Sequence, residues 1–304
     1  MDDHPREISD LIVAYDPATL ARLPVRKAEV VDYFRQRGNV RAATIADALP
    51  AHDGVLDNDA MDRLLIEVHC EMQLLSEEFN HGRRMRELLA PFLNALRAAG
   101  AARPLRVVDI GCGGGFVMRW LGLHGDLGDD VELIGADYNA ALVGRARELA
   151  AAEGSRCRFE VANAFTLAQP GSVYVSTGVI HHFRGDELRG FFASHAGDAT
   201  QVFLHTDFQP SPLAPFGAWL FHKVRMRIPL SHHDGCLSAA RAHSAQTLTA
   251  AATTALPGFT CAMFGRWFIR KPLPRVFHTL VGFRPALREH VLKALGSRAG
   301  RLEL

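Results

Sequence analysis

Short apolar runs rich in branched residues alternate with stretches of helical periodicity between residues 105 and 255. The apolar runs are RVVDI, VELIGA, CRFEVA, VYVSTG and QVFLHT, and the helical stretches lie around residues 116–123, 139–153, 185–196 and 244–255. Strands that alternate with helices are joined by crossover connections, which produce a parallel sheet covered on both faces. The sequence therefore predicts an α/β fold. One or two further strands are expected in FTCAMFGRWFIRKP.

The region before this alternation is predicted to be helical. From Met61 onward, apolar residues recur at spacings of mostly three and four, which places them on one stripe of a long helix or of two helices that break near Gly82. We expect residues 1–100 to form a helical cap, lid or dimerisation region and residues 101–304 to form the α/β domain. An insertion is expected at about 208–240 and a tail from about residue 272.

The composition is that of an ordinary globular protein. The chain has 304 residues, of which 48% are hydrophobic, and a formal net charge of +1. It contains no apolar run of about 18 residues, and its N-terminus, MDDHPREISD, is acidic where a secretory signal is basic and then apolar. We therefore expect a cytoplasmic protein without a membrane span. The five cysteines form no CxxC pair, so neither a zinc site nor a disulfide framework is predicted.

A glycine-rich loop follows the first predicted strand, with the spacing Asp109-x-Gly111-x-Gly113-x-Gly115. In an open α/β sheet, ligands bind at the carboxyl ends of the strands. Glycine lets the backbone approach such a ligand closely because it has no Cβ atom. The dinucleotide-binding pattern GxGxxG/A has a small residue at its sixth position, where this chain has Phe116. The loop therefore predicts a ligand site of another kind.

An acidic residue followed by alternate glycines resembles the first motif of the class I S-adenosylmethionine-dependent methyltransferases, and the resemblance covers residues 104 to about 270. It implies a Rossmann-like, mostly parallel seven-stranded sheet and S-adenosylmethionine as the cofactor. Asp137, 22 residues after Gly115, ends the second strand, where an acidic side chain accepts both ribose hydroxyls. Tyr138 is expected to lie against the adenine. Asn163 replaces an aspartate that often contacts the adenine amine in this family, and an amide also accepts that bond. The cofactor residues implied by the resemblance are Asp109, Gly111, Cys112, Gly113, Asp137, Tyr138, Asn163, Ala164, Phe165 and Thr177.

The segment STGVIHHF, after the fourth strand, supplies the first candidate for a catalytic base. It resembles the LHDW type of segment in O-methyltransferases, whose histidine is the general base, and that histidine corresponds to His181. An imidazole with a pKa near 6.5 can take the proton of an acceptor hydroxyl at neutral pH. His182 is a second candidate, although capping or packing of the next helix is its more ordinary role. Family members that methylate nucleic acid bases often carry Asn/Asp-Pro-Pro-Tyr here, which this chain lacks. Nucleic acid is therefore not an expected partner.

A second polar cluster follows the fifth strand. It begins with His205 and Asp207, and SHHDGCLSAARAHS adds His233, the third candidate catalytic residue, beside Asp234. Segments of the shape HDGxxSxxRA help to wall the acceptor pocket in similar small-molecule methyltransferases. Either aspartate can orient a histidine, as the acidic member of a catalytic triad does. Histidine and aspartate are also metal ligands, but no fixed ligand spacing is present and no metal is predicted.

Three segments outside these motifs have several interpretations. The stretch PLAPFGAWLFHKVRMRIPL, residues 212–230, is an insertion packed on the domain's own core, a lid over an apolar acceptor, or an amphipathic patch for a membrane or partner subunit. The basic tail from Arg266 onward favours a solvated helix over a nucleic-acid surface. The stretch EVVDYFRQRGNVRAATIADALP loosely resembles the dimerising domain of plant-type O-methyltransferases, which leaves a homodimer open.

The function predicted from the sequence is methyl transfer from S-adenosylmethionine to a small-molecule acceptor, with a hydroxyl of an aromatic or polyketide-like compound as the first choice. Three alternatives stay open. In the first, the enzyme methylates a carbon or nitrogen atom, where a base matters less. In the second, it keeps the cofactor for cyclase-like chemistry. In the third, the chain is an interaction module with a vestigial glycine loop. Cofactor binding separates the last alternative from the others, and formation of S-adenosylhomocysteine separates the second.

Overall fold

The structure is a computed structural model that describes residues 5–167, 170–265 and 276–303. Four basic residues of the tail, Arg266, Arg270, Lys271 and Arg275, lie outside the described residues, as does most of the stretch GRWFIRKP in which a strand was expected. In the described parts of the chain, no helix combines the length and the apolar character needed to cross a bilayer.

The strands of the described residues form one large sheet and two small pairs, β1 with β2 and β3 with β4. In chain order they are β1 (Ala14–Tyr15), β2 (Arg22–Leu23), β3 (Ala51–His52), β4 (Val55–Leu56), β5 (Leu105–Ile110), β6 (Val131–Asp137), β7 (Cys157–Val161), β8 (Val173–Thr177), β9 (Val202–Phe208), β10 (Thr260–Phe264), β11 (Phe277–Phe283) and β12 (Leu302–Glu303). The five runs predicted as strands correspond to β5–β9, each within two residues at either end.

The α-helices of the described residues are α1 (Lys27–Gln36), α2 (Val40–Asp47), α3 (Asn58–Glu78), α4 (His81–Ala98), α5 (Phe116–His124), α6 (Ala140–Glu153), α7 (Gly185–Ala193), α8 (Ala214–Arg225), α9 (Pro229–Ala240), α10 (Ala245–Ala255) and α11 (Arg288–Leu295). Helices α5, α6, α7 and α10 match the four helical stretches predicted between the strands. The apolar stripe that begins at Met61 is divided between α3 and α4, and the break falls at Asn80, whose φ is +54°. Ahead of α3, the Asp57 carboxylate accepts the Ala60 N–H at 2.7 Å, as a helix cap does.

The large sheet has the strand order β12-β10-β11-β9-β8-β5-β6-β7. The strands from β9 to β7 in this order run parallel, while β11, β10 and β12 extend the sheet with antiparallel pairs. The predicted α/β class and mostly parallel sheet are confirmed. The prediction of seven strands is wrong, because the described residues contribute eight. The unexpected strand is β12, whose two residues are too few to leave a periodic pattern in the sequence.

The sheet is buried on both faces, as expected for parallel strands. Successive residues of β5 point to opposite faces, so Val107 lies in one apolar cluster and Val108 in another. The first cluster takes side chains from α4, α5, α6 and α11, and the second takes them from α7 and α10. Parallel pairing brings the carboxyl ends of β5, β6, β8 and β9 to one edge of the sheet, where a ligand site is expected.

The chain divides into two compact units. The helical unit comprises the residues up to Leu75 together with Ser211–Arg241. The sheet unit comprises Ser76–Pro210 together with the residues from Ala242 onward. The segment 211–241 coincides closely with the insertion expected at 208–240, whereas α4 belongs to the sheet unit. The domain division expected at residue 100 stays a prediction.

Gly282 in β11 provides a test of the packing within the sheet. A Cβ atom at this position would stand 2.0 Å from Cζ of the fully buried Phe203. We expect Gly282→Ala to lower the free energy of unfolding by about 1–3 kcal/mol, the usual cost of overpacking. Gly144 in α6 has no atom within 4 Å of an added Cβ, so Gly144→Ala should instead raise that free energy by about 0.5–1 kcal/mol. Denaturant unfolding measures both, and equal effects of the two substitutions would contradict the expectation.

Candidate functional site

The glycine loop turns sharply from β5 into α5. Gly111, Gly113 and Gly115 have φ values of +69°, +52° and +73°, a region that side-chain-bearing residues rarely adopt. The Gly111 and Cys112 N–H groups donate to the Ala136 carbonyl at 2.8 and 3.1 Å. These bonds attach the loop to the end of β6, and the expected close approach of its backbone to a ligand stays a prediction.

At two of these glycines, neighbouring side chains leave no room for a Cβ atom. A Cβ atom on Gly111 would lie 2.8 Å from a methyl group of Val179, and one on Gly115 would lie 2.4 Å from the Phe159 ring. Because Val179 is in the segment that follows β8, the first contact holds the glycine loop directly against that segment. The loop and the STGVIHHF segment therefore share one edge of the sheet.

Asp137, the last residue of β6, is buried beside the loop. Its Oδ2 atom accepts the Gly113 N–H at 2.8 Å, and its Oδ1 atom accepts the Asn139 N–H at 2.9 Å. The carboxylate thereby fixes both the glycine loop and the start of α6. The expected hydrogen bonds from ribose hydroxyls to this carboxylate stay a prediction alongside this structural role.

Two acidic side chains lie together below the loop. Burial, and second the charge of Asp137, raise the pKa of Asp109 to about 8. Asp109 is therefore mostly protonated at neutral pH, which avoids two adjacent buried negative charges. Burial likewise raises the pKa of the Cys112 thiol well above its ordinary value, with smaller contributions from the two aspartates. Cys112 is consequently a thiol that packs in the loop and not a thiolate nucleophile.

Aromatic side chains lie beyond the strand ends. Tyr138, after β6, is 44% exposed, and Phe165, after β7, is 39% exposed. The side-chain oxygen of Asn163 accepts the Phe165 N–H at 2.9 Å and forms a turn that includes Ala164. Thr177 ends β8 at the same edge of the sheet. Half-exposed rings at such an edge are suited to stacking against a flat ring.

His181 and Asp207 form a buried hydrogen-bonded pair. His181 lies in a short 3-10 helix, Ile180–His182, directly after β8, and Asp207 lies near the end of β9. The His181 Nδ1 atom is 2.8 Å from Asp207 Oδ1, and the His181 backbone N–H donates to Asp207 Oδ2 at 2.9 Å. Both side chains are at most 4% exposed. The structure thus selects Asp207 as the partner that orients His181.

The charge of Asp207 is set by its neighbours. Burial alone raises a carboxyl pKa, but the proximity of His181 and hydrogen bonds from His181 and Phe208 outweigh burial and hold the pKa of Asp207 below its ordinary value. Asp207 is therefore ionised at neutral pH. A carboxylate beside Nδ1 accepts a hydrogen bond from the Nδ1–H group, and this tautomer leaves Nε2 as the basic nitrogen of His181.

The other two candidate catalytic histidines have different surroundings. The His182 ring lies 4.4 Å from the His181 ring, centroid to centroid. His233 belongs to the helical unit, where its Nδ1 is 2.7 Å from Asp234 Oδ1 and its Nε2 is 2.9 Å from Asn39 Nδ2. Asp234 also accepts the backbone N–H groups of Ile8 and Ser9 at 2.9 Å. Both ring nitrogens of His233 therefore have partners that hold the helical unit together.

An aromatic row leads from His181 to a histidine that the sequence analysis did not identify. Ring centroids are separated by 5.6 Å from His181 to Phe208, by 5.0 Å from Phe208 to Phe277 and by 4.7 Å from Phe277 to His81. His81, the first residue of α4, is buried and neither of its ring nitrogens has a hydrogen-bond partner. The sequence feature that could have pointed to His81 is its position directly after Asn80, where the two helices are separated.

The ionisation of His81 makes stability depend on pH. Burial, and second the charge of Arg84, lower the pKa of His81 to about 4. The unfolded chain gains this proton near pH 6.5, so the folded state loses stability as the pH falls from about 6.5 to about 4. At pH 5 this loss is about 2 kcal/mol for His81 alone, at about 1.4 kcal/mol per pH unit.

We expect His81→Phe to remove this part of the acid response. Between pH 7 and pH 5, the free energy of unfolding of the variant should fall by about 2 kcal/mol less than that of the unmodified protein. Denaturant unfolding at the two pH values measures the difference. The variant keeps the ring contacts with Phe277, so its stability at pH 7 controls for packing. An identical pH response in the two proteins would show that folding does not lower the pKa of His81, and this would contradict the expectation.

A second buried histidine network joins His205, which the sequence placed in the second polar cluster, to His195, which the sequence did not point to. Ser176 in β8 bonds His205 Nδ1 at 2.8 Å, His205 Nε2 is 2.9 Å from His195 Nε2, and His195 Nδ1 is 2.9 Å from the Ser194 hydroxyl. Burial lowers the pKa of His195 to about 3 and that of His205 well below its ordinary value. Both rings are therefore neutral, and His205 is a structural residue of the second apolar face, since the aromatic rings of Phe191 and Phe192 surround it.

A cavity of about 240 Å³ lies where α4 and α5 begin. It is lined by Ser76, Glu77, Asn80, Gly82, Arg83, Phe116 and Trp120. Phe116 directly follows the last glycine of the loop, so the cavity extends the candidate ligand region from the loop toward α4.

Part of the sheet unit is similar to a known protein family. Residues 107–197, which run from β5 through α7, match a family profile described as a methyltransferase domain. No curated protein matches the sequence significantly. Among solved structures, the magnesium protoporphyrin IX methyltransferase of Synechocystis PCC 6803 is 20% identical, with 85% of this chain and 99% of that chain covered and a TM-score of 0.45.

Two further solved structures are similar at the same level. The plantazolicin methyltransferase BpumL is 11% identical, with 74% of this chain and 98% of that chain covered and a TM-score of 0.46. A candidate O-methyltransferase of Nostoc punctiforme PCC 73102 is 18% identical, with a TM-score of 0.43. The alignment covers 66% of this chain and 56% of that longer chain.

Proposed function

We propose that this chain is a class I methyltransferase that uses S-adenosylmethionine and that it methylates a hydroxyl group of a small aromatic or polyketide-like molecule. The match of residues 107–197 to a methyltransferase domain profile supports the first part of this proposal. The base in this proposal is His181. The observation that carries the proposal is the buried His181–Asp207 pair. His181 follows β8, and β8 is the neighbour of β5, the strand that leads into the glycine loop.

The residues at the sheet edge fit the cofactor. The loop backbone from Gly111 to Gly115 has the conformation and the bare surface that close approach requires. Asp137 lies at the end of β6, where a carboxylate can accept hydrogen bonds from ribose hydroxyls. Tyr138 and Phe165 offer half-exposed rings for a purine. When bound, S-adenosylmethionine supplies a methyl group on a positively charged sulfur.

His181 removes the acceptor proton in this proposal. Asp207 holds the imidazole through Nδ1 and favours the tautomer with a basic Nε2. When Nε2 takes the proton of the acceptor hydroxyl, the ring becomes positively charged, and the ionised Asp207 stabilises that charge at 2.8 Å. The second bond, from the His181 backbone N–H to the same carboxylate, fixes the segment that positions the ring. Alignment of the acceptor and proton removal are the two tasks that the protein must perform.

The aromatic row supports an aromatic acceptor. Phe208 and Phe277 extend from His181 as a wall of rings, and such walls favour flat apolar molecules through offset or edge contacts. His81 ends the wall with two nitrogens that have no partner. A polar group on the acceptor would satisfy one of them, and an unsatisfied buried group otherwise costs about 1–3 kcal/mol.

A labelled-methyl assay tests the proposed function. The full chain is incubated with methyl-labelled S-adenosylmethionine and a panel of phenols, quinones and polyketides, and mass spectrometry locates the label in the product. We expect the label on oxygen. A label on carbon or nitrogen would contradict the hydroxyl acceptor, and an acceptor converted without formation of S-adenosylhomocysteine would contradict methyl transfer altogether.

A further inference from the structure

Helix α8 of the helical unit carries an exposed apolar stripe. Leu213, just before the helix, is 65% exposed, and Phe216, Leu220 and Val224 are 62%, 48% and 71% exposed. Their spacings of three and four residues place them on a single face of a helix. Isolated exposed apolar residues are ordinary, but three on one face of a helix with a fourth at its N-cap form a contiguous surface that indicates an interaction.

The opposite side of α8 is anchored within the helical unit. His222 is buried, and its Nδ1 atom is 2.8 Å from the Ser231 carbonyl at the start of α9. A Cβ atom on Gly235 of α9 would fall 1.7 Å from the His222 ring, so the two helices pack as closely as glycine permits. Since α8 is held through this side, the exposed stripe is a fixed surface of a packed helix.

Aromatic and basic side chains border the stripe. Trp219 is 40% exposed and lies 5.8 Å from the Phe216 ring, and the Lys223 ammonium lies 4.9 Å from the Trp219 ring centroid. Tryptophan and lysine in this arrangement present an apolar body with a charged rim.

The charged residues of the segment 208–233 itself are all basic. Residues 208–233 include Lys223, Arg225 and Arg227 and contain no aspartate or glutamate. All three basic side chains belong to exposed residues. Glu71 approaches the end of the helix, where its carboxylate accepts the backbone N–H groups of Arg227 and Ile228. The exposed rim of the stripe is therefore cationic.

We propose that α8 is an interfacial helix that binds the surface of an anionic lipid bilayer. A helix with Phe, Trp and Leu on one face and Lys and Arg at its border lies in the plane of a membrane, with its apolar face among the acyl chains and its cations near the headgroups. Twelve residues span only about 18 Å, so this helix rests on a bilayer and does not cross it. The cationic rim favours a lipid surface over a second copy of the same stripe, because two copies would bring like charges together.

Vesicle binding by the full chain tests this proposal. We expect co-sedimentation with vesicles of phosphatidylcholine containing about 30% phosphatidylglycerol, weak binding to phosphatidylcholine alone, and loss of binding at high salt, since surface charges are screened. The paired substitution Phe216→Ser and Leu220→Ser should weaken binding at least tenfold. Val40→Ser, at a residue of α2 that is 73% exposed, is the matched control and should leave binding unchanged.

A second pair of variants separates charge from apolar contact. Lys223→Gln with Arg225→Gln should weaken binding to anionic vesicles and leave the residual binding to neutral vesicles unaltered. Arg35→Gln, at an exposed position of α1, is the control. The proposal is overturned if the unmodified protein does not bind anionic vesicles, or if the stripe variant binds them equally well. Loss of dimers in the stripe variant by light scattering, without vesicle binding by either protein, would identify a second copy as the occupant and would also overturn it.

Discussion

Replacing His181 with alanine should lower kcat for methyl transfer by about 10²-fold or more, the usual contribution of a positioned general base. The Kd for S-adenosylmethionine should change little, because the proposed cofactor contacts come from the loop after β5, the end of β6, the segment after β7 and Thr177, and not from His181. The loss should diminish as the pH rises, since solvent hydroxide then assists in removing the acceptor proton. Steady-state kinetics with the acceptor found in the labelled-methyl assay, together with calorimetry for cofactor binding, measure the two effects.

Two further variants sharpen this test. Asp207→Asn keeps the shape of the partner but favours the wrong tautomer of His181, and it should lower kcat by about 10²–10⁴-fold with the cofactor Kd preserved. His52→Ala, at a histidine whose side chain is 82% exposed, is the control and should leave kcat unchanged. If His181→Ala retained more than a tenth of kcat, the base would lie elsewhere, and methylation of carbon or nitrogen would become the better hypothesis.

Replacing Asp137 with alanine should raise the Kd for S-adenosylmethionine by about 10²-fold or more. Hydrogen bonds to a charged acceptor contribute about 1.5–3 kcal/mol each, and the proposed site uses this carboxylate for two ribose hydroxyls. The substitution also removes the acceptor of the Gly113 N–H at 2.8 Å, so the loop is less ordered before the cofactor binds. Calorimetric titration with S-adenosylmethionine and S-adenosylhomocysteine measures both affinities.

The control for this experiment is Asp129→Ala, because that side chain is fully exposed and remote from the loop in sequence. It should leave both affinities unchanged. Asp137→Asn should give an intermediate loss, since the amide keeps one acceptor oxygen. A Kd for Asp137→Ala within threefold of that of the unmodified protein would show that Asp137 only holds the loop and does not contact the cofactor.

The parallel part of the sheet could be predicted from sequence because its strands are buried on both faces. Such strands consist of short runs of branched residues, and β5–β9 appear in the sequence in that form. The strand β12 could not be predicted, since two residues carry no period. Its pairing with β10 depends on the fold of the whole C-terminal region.

The candidate site was predictable to the extent that it is local in sequence. The glycine loop and His181 each follow a strand and Asp137 ends one, so the sheet determines where they lie. The sequence offered both Asp207 and Asp234 as partners of a histidine, and only the structure separates them, because the first contacts His181 and the second contacts His233. His81 was missed because its surroundings depend on Phe277, which lies far away in the chain.

The position of β11 in the sheet has a consequence for biosynthesis. β11 lies between β9 and β10, although it follows both of them in the chain. A nascent chain that has emerged only as far as β10 therefore has an exposed edge at β9 and a strand without its neighbour, and both persist until residue 283 is available. Unpaired edges of this kind are sites of aggregation. Translation that stalls between residues 264 and 283 should thus yield a nascent polypeptide that depends on chaperones. Once β11 is complete, it pairs with both β9 and β10.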